Sequence, residues 1–187
     1  RNVRRAVKAW RALGASRWLI RTILEGAQIP WKQRPRYHRA RPYPVAAKDQ
    51  AFALSEMERC VRLEYWEELH GADKEKPVVI VNGFVTRSAG KQRLVIDARY
   101  QNKVIDDRRF KYEALTDLAP QLRAGDKMIS WDVKDAYHHV PLRAADRQYF
   151  AFQCMGRVFR CLTMPFGLKV APYVWTKLCR PIVQALR

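Results

Sequence analysis

The sequence predicts an α+β fold, with an antiparallel sheet backed by helices. Apolar residues recur at helical spacing in three segments, 3–26, 49–69 and 171–186. Between them lie β-prone runs bounded by turn residues, and these runs pair into two predicted hairpins, at 78–98 and 148–164. The chain also carries 36 Lys and Arg against 18 Asp and Glu in 187 residues. This excess of positive charge indicates a polyanionic partner, and nucleic acid is the polyanion expected for an intracellular chain.

The first 48 residues form a basic extension. Apolar positions predict one helix up to Gly14, and Ser16 is expected to cap a second helix that ends at Gly26. The opposite faces of these helices are basic, so they either cradle nucleic acid or are solvated on one side. Prolines then interleave with Arg and Tyr over 29–48, which predicts an extended segment. That segment is either a tether across the surface or an arm that pairs phosphates and stacks on bases.

The remaining elements follow in order. Residues 49–69 are predicted to form one amphipathic helix with acidic residues on its outer face. A hairpin with a tight turn at 87–90 comes next, and a short helix is expected at 113–122. A second hairpin turns at 155–157, and a long helix is expected from residue 171 to 186.

The stretch from Ile129 to Leu142 reads I-S-W-D-V-K-D-A-Y-H-H-V-P-L and organises the chain. In a strand, side chains alternate between faces, so Asp132 is predicted on a polar face whose opposite face is buried. Taken alone, Asp132 either caps the following turn or is an oxygen ligand for Mg²⁺. Two further blocks decide between these alternatives: K-Q-R-L-V-I-D-A-R-Y-Q-N at 91–102 and M-P-F-G-L-K-V-A-P at 164–172.

The three blocks, in this order, resemble motif A, the fingers segment and motif B of reverse transcriptases. Phe166 and the later residues are more similar to the retrotransposon and pararetrovirus type, especially elements that carry a tyrosine recombinase. The resemblance implies the fingers and the first part of the palm of a right-hand polymerase, preceded by the basic helical extension. The implied boundaries are 1–48 for the extension and arm, 49–106 for the fingers, 107–141 for the palm with motif A, 142–164 for a fingers hairpin, and 165–187 for the palm helix with motif B.

The resemblance also implies roles for individual residues. Asp132 would be the catalytic carboxylate that binds two Mg²⁺ (or Mn²⁺) ions, with the backbone carbonyl of Val133 as a further ligand. Tyr137 would pack under the sugar and exclude a 2′-hydroxyl, so deoxynucleotides are the expected substrate. Arg93 would bind the triphosphate, with Lys91 and Arg87 in supporting positions. The other implied nucleotide-binding residues are Asp135, Ala136, Phe166 and Gly167.

The implied function is template-directed transfer of deoxynucleotides to a primer 3′-hydroxyl, with an RNA or DNA template, a primer and dNTPs as partners. Family members continue into a hairpin bearing Tyr-x-Asp-Asp, and this sequence stops before it at Arg187. The 187 residues alone are therefore expected not to polymerise DNA without a C-terminal polymerase part. The alternative is a non-catalytic nucleic-acid-binding or scaffold protein derived from a retroelement. Short apolar runs predict no membrane span, and the expected location is intracellular, cytoplasmic or nuclear.

Overall fold

The computed structural model describes residues 6–88, 90–112, 116, 119–127 and 132–185. Two predicted elements fall wholly or in part outside these ranges. They are the strand that leads into Asp132, at 129–131, and half of the short helix predicted at 113–122.

The basic extension begins with two helices, α1 (Val7–Ala12) and α2 (Arg17–Glu25). The Ser16 side chain accepts a hydrogen bond from the amide of Leu19, which confirms the predicted N-cap. Leu19 and Ile23 are buried in the same core as the sheet. The extension therefore packs onto the rest of the chain and shares its hydrophobic core.

Gly26 joins the extension to the body of the fold. Its φ of 97° lies in the region that favours glycine. The next residue, Ala27, donates its amide to the carbonyl of Pro141 at 2.7 Å and accepts from the amide of Arg143. A Cβ at position 26 would lie 2.5 Å from the Arg143 nitrogen, so only glycine permits this close backbone contact.

The proline- and arginine-rich segment crosses the edge of the sheet as a tether. Within it, strand β1 (His38–Arg39) pairs in parallel with the later strand β3 (Val79–Ser88). The side-chain amide of Asn82 donates to the carbonyl of Arg41 at 2.8 Å, and that of Gln153 donates to the carbonyl of Ala40 at 2.6 Å. These bonds fix the backbone of the tether, while the role of its exposed side chains in binding stays a prediction.

Helix α3 spans Ala47–Arg62 and buries Ala53, Met57 and Cys60 at helical spacing. The prediction of one helix from 49 to 69 was wrong beyond residue 62. Glu64 has a φ of 58°, which ends the helix, and Trp66–Leu69 forms strand β2. Strand β2 pairs antiparallel with a later strand, β6 (Arg157–Cys161), and two arginines of β6 form ion pairs with the acidic residues of β2. Cross-strand pairing therefore overrides the helical spacing of these residues.

The two predicted hairpins are present. One consists of β3 (Val79–Ser88) and β4 (Lys91–Ile96), and the other of β5 (Ala151–Cys154) and β6 (Arg157–Cys161). The strands form one sheet in the order β1-β3-β5-β6-β2, with β4 paired to β3. The sheet is mixed, because β3 runs parallel to both β1 and β5. The α+β class is confirmed, and the expected antiparallel pairing holds for the hairpins and for β2 with β6.

Helices cover the sheet and connect its strands. Helix α4 (Arg99–Val104) follows β4, and helix α5 (Ala171–Ala185) closes the described chain. Short 3₁₀ turns lie at Gly71–Glu75, Ala119–Gln121, Ala136–His139 and Ala144–Tyr149. The core centres on the stacked rings of Phe152 and Phe159, with Trp66 edge-on to Phe152 at 4.7 Å. This core fixes the elements around the site.

Candidate functional site

A cavity of about 360 Å³ lies between helix α3, strand β4 and the 3₁₀ turn at Ala136–His139. It brings together Arg93, Asp135 and Phe166, three residues that the sequence predicts as nucleotide-binding. They come from separate segments of the chain, so the fold alone places them around one space. The other lining residues are Phe52, Glu56, Arg59, Cys60, Trp66, Gln92, Leu94, Val95 and His138.

One wall of the cavity is an ionic network centred on Arg59 of α3. Its guanidinium donates to Asp135 at 2.7 Å and to both carboxylate oxygens of Glu56, at 2.7 and 2.9 Å. Burial raises the pKa of the Asp135 carboxyl, but the hydrogen bonds and charge of Arg59 lower it below its ordinary value overall. Asp135 is therefore an ionised, immobilised carboxylate, in a left-handed backbone conformation with φ of 55°.

Strand β4 of the β3–β4 hairpin forms another wall. Lys91 and Arg93 are exposed, and neither forms an ion pair with an acidic side chain among the described residues. Arg87 differs, because its guanidinium donates twice to Asp49 of α3, at 2.5 and 3.1 Å. Two cations of this hairpin are thus available to a ligand, while Arg87 is tied to the helix.

The 3₁₀ turn carries Tyr137 and His138. The ring of Tyr137 lies 4.8 Å from that of Phe166, so this half-buried side chain meets the cavity through Phe166. His138 is buried, stacks on Tyr65 at 4.4 Å and has its Nδ1 2.9 Å from the Thr163 hydroxyl. Burial lowers the pKa of His138 to about 4, so its imidazole is neutral near pH 7.

The segment around Phe166 and Gly167 is anchored to helix α4. Asn102 donates to the carbonyl of Gly167 and accepts from the amide of Lys169, both at 2.9 Å. Gly167 has a φ of 86°, a conformation that other residues adopt at a cost. Phe166, which is 45% exposed, is therefore held at the rim of the cavity by a fixed backbone.

Asp132 lies three residues before the cavity wall and is exposed. Its side chain makes no hydrogen bond or ion pair with another residue in the described ranges, and Val133 beside it is half-buried. An exposed carboxylate with no partner in these ranges suits Mg²⁺, which takes one or two carboxylates plus waters and substrate phosphates. Within the described part of the chain, no three His, Cys, Asp or Glu side chains group closely enough to hold a metal ion. Among the described residues, Asp132 therefore fits the role of one ligand of such an ion.

Four of the predicted nucleotide-binding residues do not line the cavity: Lys91, Ala136, Tyr137 and Gly167. Sequence reasoning missed Arg59, Asp49 and His138. The partner of Arg59 is 76 residues away, and no local pattern indicates such a pair. The weak signal was Glu56 and Arg59 at a spacing that places both on one face of a helix.

Comparison with known proteins identifies the class to which this fold and site belong. A family model described as reverse transcriptase (RNA-dependent DNA polymerase) matches residues 74–187. The Transposon Tf2-7 and Tf2-3 polyproteins of Schizosaccharomyces pombe are each 30% identical to this chain over 89 residues, which is 48% of the chain and 7% of each polyprotein. The chain therefore belongs to the reverse transcriptase family.

Solved structures agree at the level of the fold. A foamy viral protease-reverse transcriptase in complex with double-stranded DNA matches with a TM-score of 0.60 and 16% identity, covering 88% of this chain and 32% of that one. The prototype foamy virus protease-reverse transcriptase matches with a TM-score of 0.67 and 14% identity, covering 86% and 22%. The present chain thus spans a small part of the relatives that it matches.

Members of the family generally use a divalent metal ion. No helix in the described ranges is both long and apolar enough to cross a membrane.

Proposed function

We propose that this chain supplies the deoxynucleotide pocket and one metal-binding carboxylate of an RNA-directed DNA polymerase. The single observation behind the proposal is that Arg93, Asp135 and Phe166 line the same cavity. Each was predicted from a different sequence block. Chance does not readily bring three such residues to one cavity, since they are spread over 74 positions of the chain.

Charge around the cavity supports a triphosphate ligand. Arg93 and Lys91 present cations on the hairpin, and the planar guanidinium of Arg93 can engage two phosphate oxygens at once. On the other side, Arg59 pairs with both Asp135 and Glu56, so it offsets part of the negative charge that these carboxylates would present to an anion. The main-chain amides that follow Asp135, including that of Ala136, are proposed to lie along the phosphate tail.

Asp132, with the carbonyl of Val133, is proposed to hold Mg²⁺ beside this pocket. When bound, the metal activates the primer 3′-hydroxyl and stabilises negative charge on the leaving phosphate oxygens. Asp132 would contribute an exposed carboxylate as a metal ligand, three residues before Asp135 of the cavity. Its exposure supports this role, because a ligand carboxylate must be free to exchange water for metal.

Tyr137 is proposed to select the sugar. Its ring and that of Phe166 lie together at 4.8 Å and form a rigid aromatic surface next to the cavity. We propose that this surface packs against the sugar and excludes a ribose 2′-hydroxyl, the group that distinguishes the two sugars. Phe166 and Gly167 would then contact the nucleotide and the templating base.

A second candidate is a nucleic-acid-binding protein without catalysis, which the net charge of +18 favours. Primer extension separates the two candidates. The assay uses a poly(rA) template, an oligo(dT) primer and dTTP, with this chain joined to a C-terminal segment that carries Tyr-x-Asp-Asp. Mg²⁺-dependent extension supports the polymerase. Duplex binding without extension in the joined protein would refute it and support the binding protein.

A further inference from the structure

One buried carboxylate, that of Asp49, links the β3–β4 hairpin to helix α3. Asp49, in the first turn of α3, is 8% exposed, and its Oδ1 accepts from both Arg87 and Gln92. Arg87 and Gln92 are directly opposite each other across β3 and β4. A single side chain therefore links both strands of the hairpin to the helix, and Arg93 is the residue that follows Gln92.

The 3₁₀ turn at Ala136–His139 is linked to the same helix nearer its C-terminal end. Arg59 binds Asp135 at 2.7 Å, and Asp135 directly precedes the turn that carries Tyr137. The side chains of Arg59 and Asp135 are 25% and 18% exposed, so solvent screens this pair only in part. Glu56 orients Arg59 from one helical turn away, at 2.7 Å.

Asp49 and Arg59 are ten positions apart on one continuous helix. That separation corresponds to about 15 Å along the helix axis. The helix, which itself lines the cavity, is thus joined to the hairpin and to the 3₁₀ turn by two separate ionic links. Helix α3 precedes residues 74–187, so Asp49 and Arg59 lie outside the part that the family model matches, whereas their partners lie within it.

We propose that helix α3 is a bracket that sets the width of the nucleotide cavity. In this arrangement Asp49 is the positioning residue for Arg93, and Arg59 is the positioning residue for the turn that bears Tyr137. Arg87 is an anchor of the hairpin and not a phosphate ligand, because Asp49 occupies its guanidinium. The effect on nucleotide binding rests on the proposed function, whereas the effect on the two walls does not.

Hydrogen–deuterium exchange of the 187-residue chain, without nucleotide, tests the bracket. Asp49→Asn is expected to speed amide exchange in 84–95 about fivefold to tenfold and leave 133–140 unchanged, because a charge-assisted link is lost. Arg59→Met is expected to speed amide exchange in 133–140 about fivefold to tenfold and to leave 84–95 unchanged, because it removes the link to Asp135. Glu25→Gln, which weakens an exposed ion pair on α2, is the matched control and should change neither segment. Equal changes in every peptide, or no change in the two segments, would overturn the bracket.

Variants of the partner residues keep this test decisive if one protein fails to fold. Arg87→Met breaks the first link from the hairpin side, and Asp135→Asn weakens the second from the turn side. Each should reproduce the exchange pattern of its partner variant. Circular dichroism at 25 °C establishes that each variant is folded before exchange is measured. A partner variant with a different pattern would show that the link is not the cause.

Nucleotide affinity gives the second readout. In Mg²⁺, Asp49→Asn is expected to weaken dATP and ATP binding to the same degree, about fivefold, because Arg93 contacts phosphate in both. Arg59→Met is expected to reduce the preference for dATP over ATP, since it releases the Tyr137 turn. If both variants lost the same nucleotide affinity and neither changed the preference for dATP over ATP, Asp49 and Arg59 would have only a general structural role. That result would overturn the proposal. A wild-type chain that binds neither nucleotide would refute the proposed function. The exchange data would still show whether helix α3 positions the hairpin and the 3₁₀ turn.

Discussion

His138 makes the stability of this protein depend on pH. The imidazole is 7% exposed, packed between Tyr65 and Phe166, and its pKa is lowered from 6.5 to about 4 mainly by burial. The unfolded chain therefore binds a proton that the folded protein does not between these values. His138 contributes its full share to stability above pH 6.5, and that share is lost as the pH falls towards 4.

The size of the effect follows from the pKa difference. A difference of about 2.5 between the folded and unfolded values corresponds to about 3 kcal/mol when the site is fully titrated. Between pH 7 and pH 5, the linkage relation gives a loss of about 2 kcal/mol in the free energy of unfolding. Such a loss is a large fraction of the stability of a typical domain.

Urea unfolding at pH 7 and pH 5 measures this loss. In His138→Gln, which keeps a polar partner for Thr163 but cannot titrate, the decrease between the two pH values should be smaller than in wild type by about 2 kcal/mol. His70→Gln removes a largely exposed imidazole and should leave the wild-type decrease in place. The same decrease in His138→Gln and wild type would refute the assignment.

Two further substitutions test the fold and the site. Gly26→Ala should lower the free energy of unfolding by about 3 kcal/mol, because a Cβ there meets the backbone at Arg143, whereas Gly14→Ala, with nothing within 4 Å, should cost about 1 kcal/mol. Urea unfolding measures both, and equal losses would contradict the docking of the extension. Tyr137→Ala should raise UTP incorporation relative to dTTP by tenfold or more in the polymerase-competent protein. An unchanged ratio would remove Tyr137 from sugar selection.

Local patterns were sufficient where an element and its partner are close in sequence. The β3–β4 hairpin could be predicted because both strands and their turn lie within 18 residues. Ser16 could be predicted as a cap because its partner is three residues away. The site residues Arg93, Asp135 and Phe166 were found by resemblance, and the cavity that they line gives this prediction a geometric basis.

Local patterns failed where a distant partner decides the structure. Residues 66–69 fit both helical and strand spacing, and the choice depends on Arg157 and Arg160, about 90 residues later. The pairing of β1 with β3 is parallel, and nothing near His38 specifies it. Arg59 was missed for the same reason, because an arginine on an amphipathic helix is ordinarily a solvated residue.

The central claim is that Asp132 holds the metal ion for nucleotide transfer beside this cavity. The most direct measurement is Mg²⁺-dependent dTTP incorporation by the polymerase-competent protein, with Asp132→Asn compared with wild type. Asp126→Asn, which alters another exposed carboxylate six residues earlier, is the matched control. We expect at least a hundredfold loss of incorporation in Asp132→Asn with template binding unchanged, and full activity in Asp126→Asn. Wild-type incorporation by Asp132→Asn would contradict it.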